Sequence, residues 1–169
     1  HSRYWQNAKA MWDSFFALEK FRTEAVWNSA RPDVMTVPFR TTEAHIETFL
    51  KTNIEDEFKW KNWHLELVFE KDADIHVEFV PGTTPHVNGL AGNTITMDDN
   101  APLTEWDVQW TIRHEYGHVL GFEDCYVEYY DATKKEMINY QLDTSDLMCS
   151  RMGRMKETHY TELKKKYYK

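Results

Sequence analysis

The sequence predicts a single α+β domain in which a twisted mixed sheet of about five strands packs against helices. Three observations indicate this class. Apolar and polar residues alternate over 64–70 and over 74–80, as in half-buried strands. Apolar residues at helical spacing occupy 46–58, after a strand-like stretch at 34–40. The resulting order of strand, helix, strand and strand is typical of a twisted sheet with helices on one side.

Composition supports a globular protein. The 169 residues are 41% apolar and 15% aromatic, enough for one core, so we expect a single domain over residues 1–169. A formal net charge of −8 argues against a nucleic-acid partner or an anionic membrane surface. No apolar run approaches the length of a membrane span.

The N-terminal residues are expected to form a helix over 3–27, because aromatic residues such as Trp5 and Trp12 recur at helical spacing. Residues 1–30 then form a helical extension that packs on the body. A retained pro-segment or a regulatory helix is the alternative. Pro38 marks the strand at 34–40 as an edge strand or a bulge.

The later elements follow from local signals. Short strands are expected around Leu90 and over 94–97. The run Asp98-Asp99-Asn100 has calcium-binding side chains, but a solvated turn is the commoner use of such a run. Helices are expected over 105–120 and 158–168. Residues 126–142 favour a hairpin over a helix, because Tyr, Val and Glu alternate there.

The most informative stretch runs from His114 to Asp124 and reads H-E-x-x-H-x-x-G-x-x-D. Two histidines four residues apart lie on one face of a helix, so His114 and His118 can bind the same metal ion. Glu115 lies on the neighbouring flank, where it can hold a water beside the metal without being a ligand. Gly121 can end the helix in the left-handed conformation and turn the chain back, which places Asp124 as the third ligand.

These residues resemble the signature of metzincin metalloproteases, and the aspartate at the last position is similar to the snapalysin family of small secreted bacterial proteases. Ser145-Asp146-Leu147-Met148 resembles that family's Met-turn, which implies that Met148 lies beneath the zinc. Asp124-Cys125-Tyr126 matches its D-x-Y, which implies that Tyr126 faces the substrate carbonyl. The resemblance also implies a smaller C-terminal part that contains the Met-turn and the last helix.

Upstream the resemblance is broader. Residues 73–79 look like the third strand of matrixin-like metzincins, and Gly89-Leu90-Ala91 is similar to their substrate-binding edge strand, so Leu90 and Ala91 are candidate substrate-binding residues. Two departures stand out. Ser150 replaces the tyrosine that follows the astacin-type Met-turn, and the segment between Asp124 and Met148 is longer than in snapalysins.

The expected function is that of a secreted endopeptidase with one catalytic Zn²⁺. Glu115 would take a proton from the attacking water and pass it to the leaving amine. Tyr126 would stabilise the negative charge on the carbonyl oxygen, with Tyr140 and Tyr160 as competitors for that role. We expect a monomer that acts on protein or peptide substrates. The snapalysin resemblance implies a large apolar side chain after the cut.

Cys125 and Cys149 are expected to form a disulfide. One follows the third ligand and the other follows the Met-turn methionine, so both belong near the zinc. A bridge fits an oxidising, extracellular setting. Two buried free thiols are the alternative.

Two other functional readings stay open. A non-catalytic secreted domain stabilised by zinc explains both histidines but gives Glu115 no role. A gluzincin-type peptidase would use Glu136 or Glu157 as the third ligand, which leaves Gly121 and Met148 unexplained. A second, structural zinc on His76 or His86 is the less favoured reading of those histidines.

Overall fold

The computed structural model describes residues 2–169, and its elements mix helices with short strands. The helices are α1 (Ser2–Ser14), α2 (Ala44–Leu50), α3 (Trp106–Leu120) and α4 (Glu157–Tyr167), with a π-helical turn, Lys51–Glu55, continuing α2. The strands are β1 (Val34–Phe39), β2 (Lys59–Trp60), β3 (Trp63–Phe69), β4 (His76–Val80), β5 (His86–Val87), β6 (Thr94–Asp98), β7 (Tyr126–Asp131) and β8 (Glu136–Gln141). The mixed α and β class is confirmed.

The strands form smaller sheets than the single sheet of about five strands that we expected. One sheet has the order β1-β3-β2, another β4-β6-β5, and β7 pairs with β8. The first two sheets meet at one bridge, where the Arg40 amide donates to the Ile75 carbonyl at 2.7 Å. Because β1 ends at Phe39 and β4 begins at His76, only the tips of these strands overlap.

The core lies between the first sheet and α3. Alternate residues of β1 and β3 point inward and are fully buried, among them Val37 and Leu65. From α3, Ile112, Tyr116 and Val119 enter the same core. This packing fixes α3, and with it the face that carries the two histidines.

The N-terminal helix is shorter than predicted, since it ends at Ser14 and not near residue 27. None of its residues is buried. Residues 15–33 instead follow the body in an irregular path that buries Leu18 and Trp27. Trp27 lies against Trp63, with ring centroids 5.1 Å apart. The apolar residues of 15–27 pack at points along the body that a straight helix would not reach, so tertiary contacts override the local helical spacing.

The strand expected around Leu90 is also displaced. The short strand is β5, which pairs antiparallel with β6, and Leu90 lies in the tight turn that follows. Gly89 and Ala91 both have positive φ, at 109° and 56°, which breaks an extended path. The hairpin predicted over 126–142 is confirmed as β7 and β8.

None of the helices described here is both long and apolar enough to cross a membrane.

Candidate metal centre and catalytic cleft

The candidate metal-binding geometry begins at the end of α3. His114 and His118 lie one turn apart on it, and Gly121 ends it with a φ of 110°. A side chain at Gly121 would also come within 1.9 Å of the Lys20 carbonyl oxygen, so only glycine permits both the conformation and the contact. The chain then turns and returns Asp124 to the two histidines.

The three side chains meet at one point. Asp124 Oδ1 lies 3.0 Å from His114 Nε2 and 3.1 Å from His118 Nε2. The two Nε2 atoms are 3.2 Å apart. A tetrahedral zinc with bonds of about 2.0–2.1 Å separates its ligand atoms by about 3.3 Å. The observed triangle is close to this spacing, so the donor set fits a zinc ion.

Backbone carbonyls set the orientation of both imidazoles. His114 Nδ1 donates to the Leu147 carbonyl at 2.9 Å, and His118 Nδ1 donates to the Phe122 carbonyl at 2.8 Å. A carbonyl can only accept, so each Nδ1 carries a proton, and Nε2 is the nitrogen of each ring that faces the triangle. Carbonyl acceptors on the far nitrogen are the usual supports of metal-binding histidines.

The charges in the triangle favour an ionised Asp124. Burial raises the pKa of the Asp124 carboxyl, but its hydrogen bonds to His114 and His118 and their positive charges outweigh burial and hold that pKa well below its usual value. Burial lowers the pKa of His118, but the hydrogen bond to Asp124, the negative charges of Asp124 and Glu115 and the bond to the Phe122 carbonyl together outweigh burial, so the net direction is upward. The carboxylate and the cationic ring therefore stabilise each other, a role that a metal cation would take over.

Glu115 is buried beside the triangle, with 6% of its surface exposed. Its Oε2 has no hydrogen-bond partner among the residues that the structure describes. Burial raises the pKa of the Glu115 carboxyl. A buried carboxylate oxygen without a partner is costly, and a bound water is the group that would satisfy it.

Met148 lies beneath this face of α3 and is buried. A side chain carbon at Gly117 would come within 2.3 Å of Met148 Sδ, so the glycine between the two histidines leaves the space that Met148 fills. The Met148 amide donates to Asp146 Oδ1 at 2.7 Å, and His159 Nε2 lies 3.1 Å from the same oxygen. This buried pair, Asp146 and His159, was not expected from the sequence, since nothing in the spacing of these residues links α4 to the turn.

The expected disulfide is present between Cys125 and Cys149. The Cys125 amide also donates to the Met148 carbonyl at 3.1 Å. The start of the hairpin is therefore joined to the turn beneath the metal triangle by both a covalent bond and a hydrogen bond.

Tyr126 lies beside the triangle, with its ring centroid 6.4 Å from that of His114. Burial, with the nearby Asp124 and Glu128 carboxylates, raises the pKa of Tyr126 to about 12, so the phenol is a proton-bearing donor at neutral pH. The competing tyrosines lie elsewhere. Tyr140 stacks on Tyr129 and is 60% exposed, and Tyr160 packs against Trp27.

The two candidate substrate-binding residues differ in their positions. Leu90 lines the cleft beside His118. The Ala91 amide donates to the His118 carbonyl at 2.9 Å, and the Ala91 carbonyl accepts from Arg22 Nη1 at 2.9 Å. Both backbone groups of Ala91 are thus already paired. Arg22 is a buried residue that the sequence analysis missed, because its partners are distant in the chain.

The alternative ligands lie apart from the triangle. Glu136 pairs with Asp131 at the far end of the hairpin, and Glu157 begins α4. Within residues 2–169, the ligand groups that approach one another in threes are His114–His118–Asp124 and Cys125–Asp146–Cys149, and the two sulfurs of the second are bonded to each other.

The residues of the less favoured metal sites have other contacts. His76 Nε2 lies 3.2 Å from Glu78 Oε1, and His86 Nδ1 donates to the Thr84 carbonyl. Asp98 Oδ1 accepts hydrogen bonds from the amides of Gly82 and Asn100, as expected for a solvated turn.

The cleft around the triangle has two adjoining cavities, of about 280 and 270 Å³. They share Pro85, His114, Glu115 and Tyr126. The first, which we call the side cavity, extends under the hairpin. The second holds the metal triangle and is bordered by β5 and by the turn at Leu90. An extended chain that crosses the triangle would therefore place a side chain in the side cavity.

No protein-family profile matches the sequence, and no curated protein sequence matches it. One solved structure that matches part of this chain is that of myroilysin. The TM-score is 0.37, and the identity is 22% over 53% of this chain and 48% of that chain. Another is high choriolytic enzyme 1, a hatching enzyme zinc-protease from the medaka fish Oryzias latipes, with a TM-score of 0.40 and 14% identity over 64% of this chain and 54% of that one. The chain spans about half the length of each of these proteins.

Proposed function

We propose that the protein is a zinc-dependent endopeptidase of the metzincin type, with His114, His118 and Asp124 as the metal ligands. The observation that carries this proposal is the triangle of three ligand atoms, 3.0–3.2 Å apart, beside the buried Oε2 of Glu115, which has no hydrogen-bond partner within residues 2–169. A structural zinc site needs a fourth protein ligand, whereas a catalytic site keeps a position open toward a cleft. The cleft is present here, so the geometry favours catalysis.

The chemistry divides between the metal and the chain. A bound zinc would supply Lewis acidity to the scissile carbonyl and to the attacking water. Glu115 accepts the proton of that water through its unpartnered oxygen and then delivers the proton to the leaving amine. The raised pKa of Glu115 suits this exchange, because a carboxyl group with a pKa nearer to neutral both accepts and releases a proton readily.

We assign Tyr126 to the stabilisation of the transition state. Negative charge develops on the carbonyl oxygen when water adds, and a phenol proton aimed at that oxygen stabilises it. The position of Tyr126 on the border of both cavities supports this role. Met148 supports the metal site from below, where it packs on Gly117.

We also propose a location, an oligomeric state and a substrate class for the protein. The disulfide supports an extracellular, oxidising location, and we propose a monomeric catalytic domain that acts on protein or peptide substrates. A zinc-stabilised binding domain is the second candidate. It would use the same three ligands, but it gives no reason to keep Glu115 buried and unpaired beside them.

The test combines metal content with turnover. Glu115→Gln should retain one zinc per chain and lose cleavage of an unfolded protein substrate by about a hundredfold or more. Asp124→Ala should lose zinc during dialysis against a mild chelator. The exposed carboxylates Glu43 and Asp99 provide matched controls, as Glu43→Gln and Asp99→Ala. Zinc-loaded Glu115→Gln with normal turnover would overturn the mechanism, and zinc-loaded wild-type protein that cleaves nothing would favour the binding domain.

A further inference from the structure

The side cavity is walled by one face of the hairpin. Residues of β7 and β8 alternate between faces, and two cross-strand pairs, Tyr126 with Gln141 and Glu128 with Asn139, line the cavity. The opposite wall comes from Thr111 on α3 and from Ser150 and Arg151 after the disulfide. The cavity therefore begins at the metal triangle and extends outward under the hairpin.

The lining of this cavity is mostly polar. Besides the site residues it contains Thr84, Thr111, Glu128, Asn139, Gln141, Ser150 and Arg151, and its less polar members are Pro85, Cys149 and Tyr126. No leucine, isoleucine, valine, methionine or phenylalanine is in the lining that the structure describes. A large apolar side chain would displace water from these polar groups and offer them no hydrogen bonds, which is unfavourable. This composition argues against the apolar preference that the snapalysin resemblance implies.

Glu128 gives the cavity its charge. Asn139 Nδ2 donates to Glu128 Oε1 at 2.8 Å, which fixes the carboxylate on this face. Among residues 2–169, no lysine, arginine or histidine nitrogen lies within 4.0 Å of the Glu128 carboxylate. The cationic residue of the lining, Arg151, is 64% exposed and lies 3.9 Å from Asp107. The cavity is thus lined by an exposed carboxylate, held by Asn139, that has no cationic partner within residues 2–169.

We propose that the side cavity binds a lysine or arginine side chain next to the scissile bond, and that Glu128 determines this specificity. The inference rests on the proposed peptidase function, since it names the substrate of that site. A basic side chain would enter beside Tyr126 and pair with the free oxygen of Glu128, while Ser150 and Gln141 offer acceptors for its remaining protons. The net charge of −8 would also attract basic peptides to the protein.

The experiment compares peptides that differ at one side chain. A mixed peptide library first locates the cut, and matched peptides then carry lysine, norleucine or glutamate at the position next to it. We expect wild-type kcat/KM to be about two- to fivefold higher for lysine than for norleucine, the range for an exposed ion pair, and lowest for glutamate. In Glu128→Gln this ratio should approach one, and in Glu128→Lys the glutamate peptide should become the best of the three.

The control is Glu136→Gln, which makes the same chemical change on the same hairpin outside the cavity. It should leave the lysine preference unchanged. An unchanged preference in Glu128→Gln, or a wild-type preference for norleucine, would overturn the inference while leaving the peptidase function intact.

A binding measurement separates this inference from the proposed function. Zinc-loaded Glu115→Gln should bind the lysine peptide about two- to fivefold more tightly than the norleucine peptide, as measured by fluorescence anisotropy. Selective binding by a protein whose wild type cleaves nothing would support the basic pocket and contradict the peptidase. Equal binding of both peptides would contradict the pocket.

Discussion

The floor and the outer wall of the cleft are built in opposite ways. The floor consists of α3 and the turn at Met148, where Glu115, Asp146 and Met148 are all buried. The wall is the hairpin of β7 and β8, a two-stranded sheet on which Tyr130 is 59% and Met137 66% exposed. Buried contacts fix Glu115, which is proposed for proton transfer, whereas Glu128, which is proposed for selectivity, lies on a thin surface element. The two can therefore change independently.

Wall and floor are joined at a few defined places. The disulfide joins Cys125 to Cys149, and the Leu142 amide at the other end of the hairpin donates to the Cys125 carbonyl. Lys156, which precedes α4, forms an ion pair with Asp143 just beyond the hairpin. Each of these contacts can be removed by substitution to test how strongly the hairpin depends on the buried floor.

The largest effect is expected at Tyr126, the first residue of the wall and the one nearest to the floor. Tyr126→Phe removes the donor that we propose acts mainly in the transition state, so kcat should fall by about ten- to a thousandfold with a smaller change in KM. Steady-state kinetics at equal zinc content measures this. Tyr140→Phe, on the other face of the hairpin, should keep its kcat. Equal kcat in wild type and Tyr126→Phe would return Tyr126 to a packing role.

Removal of the disulfide should have the next largest effect. Cys125 and Cys149 are 24 residues apart in sequence, and closing a loop of that size is worth about 3 kcal/mol of unfolding free energy in the chain-entropy model. The double variant Cys125→Ala/Cys149→Ala should lose about this amount in denaturant unfolding. Alkylation of the unfolded wild type without reductant should add no mass, and addition of two alkyl groups would show that the bridge does not form.

The floor is tested at Gly117. Alanine normally stabilises a helix relative to glycine, but here the added carbon would meet Met148 Sδ. Gly117→Ala should therefore destabilise the fold by about 1–3 kcal/mol through overpacking. The double variant Gly117→Ala/Met148→Ala should recover part of the loss attributed to the clash, measured as a coupling energy. A Gly117→Ala protein more stable than wild type would show that Met148 does not pack there.

The smallest effect is expected at the ion pair between Asp143 and Lys156. Hydrogen bonds from Lys156 and Ser145 lower the pKa of Asp143 to about 2. Because this pKa is lower in the folded state, the ionised carboxylate stabilises the fold above pH 3.8, its ordinary pKa, and this contribution is lost as the pH falls toward 2. Asp143→Asn should thus be slightly less stable than wild type at pH 6, and the two should converge near pH 2. The exposed variant Asp72→Asn should show no such convergence, and a constant difference for Asp143→Asn would contradict the assignment.

The sequence was informative where function depends on local helix geometry. His114, Glu115 and His118 needed only the periodicity of one helix, and Gly121 needed only the left-handed conformation that a helix end requires. Asp124 and the pair of cysteines followed from their spacing and from a family resemblance. These are the residues that the structure brings together at the cleft.

Features that depend on distant contacts were not predictable in this way. The Leu147 carbonyl that orients His114 is a backbone group, so no residue type marks it. The buried pair of Asp146 and His159 joins two segments whose packing the sequence does not reveal. The helix expected through residue 27 was wrong beyond Ser14 because apolar residues at helical spacing also serve an irregular segment that packs on a core.

The irregular path of residues 15–27 has a consequence for the order of folding. The Leu18 amide donates to Glu162 and the Arg22 amide to Tyr167, contacts that span 144 and 145 residues. Arg22 also holds the turn at Ala91, which contacts the end of α3 at His118. Closing such long loops is slow because the entropy loss precedes the stabilising contacts. We therefore expect refolding kinetics in which the core protects its amides early, while the turn beside His118 becomes ordered only after segments from both halves of the chain have met.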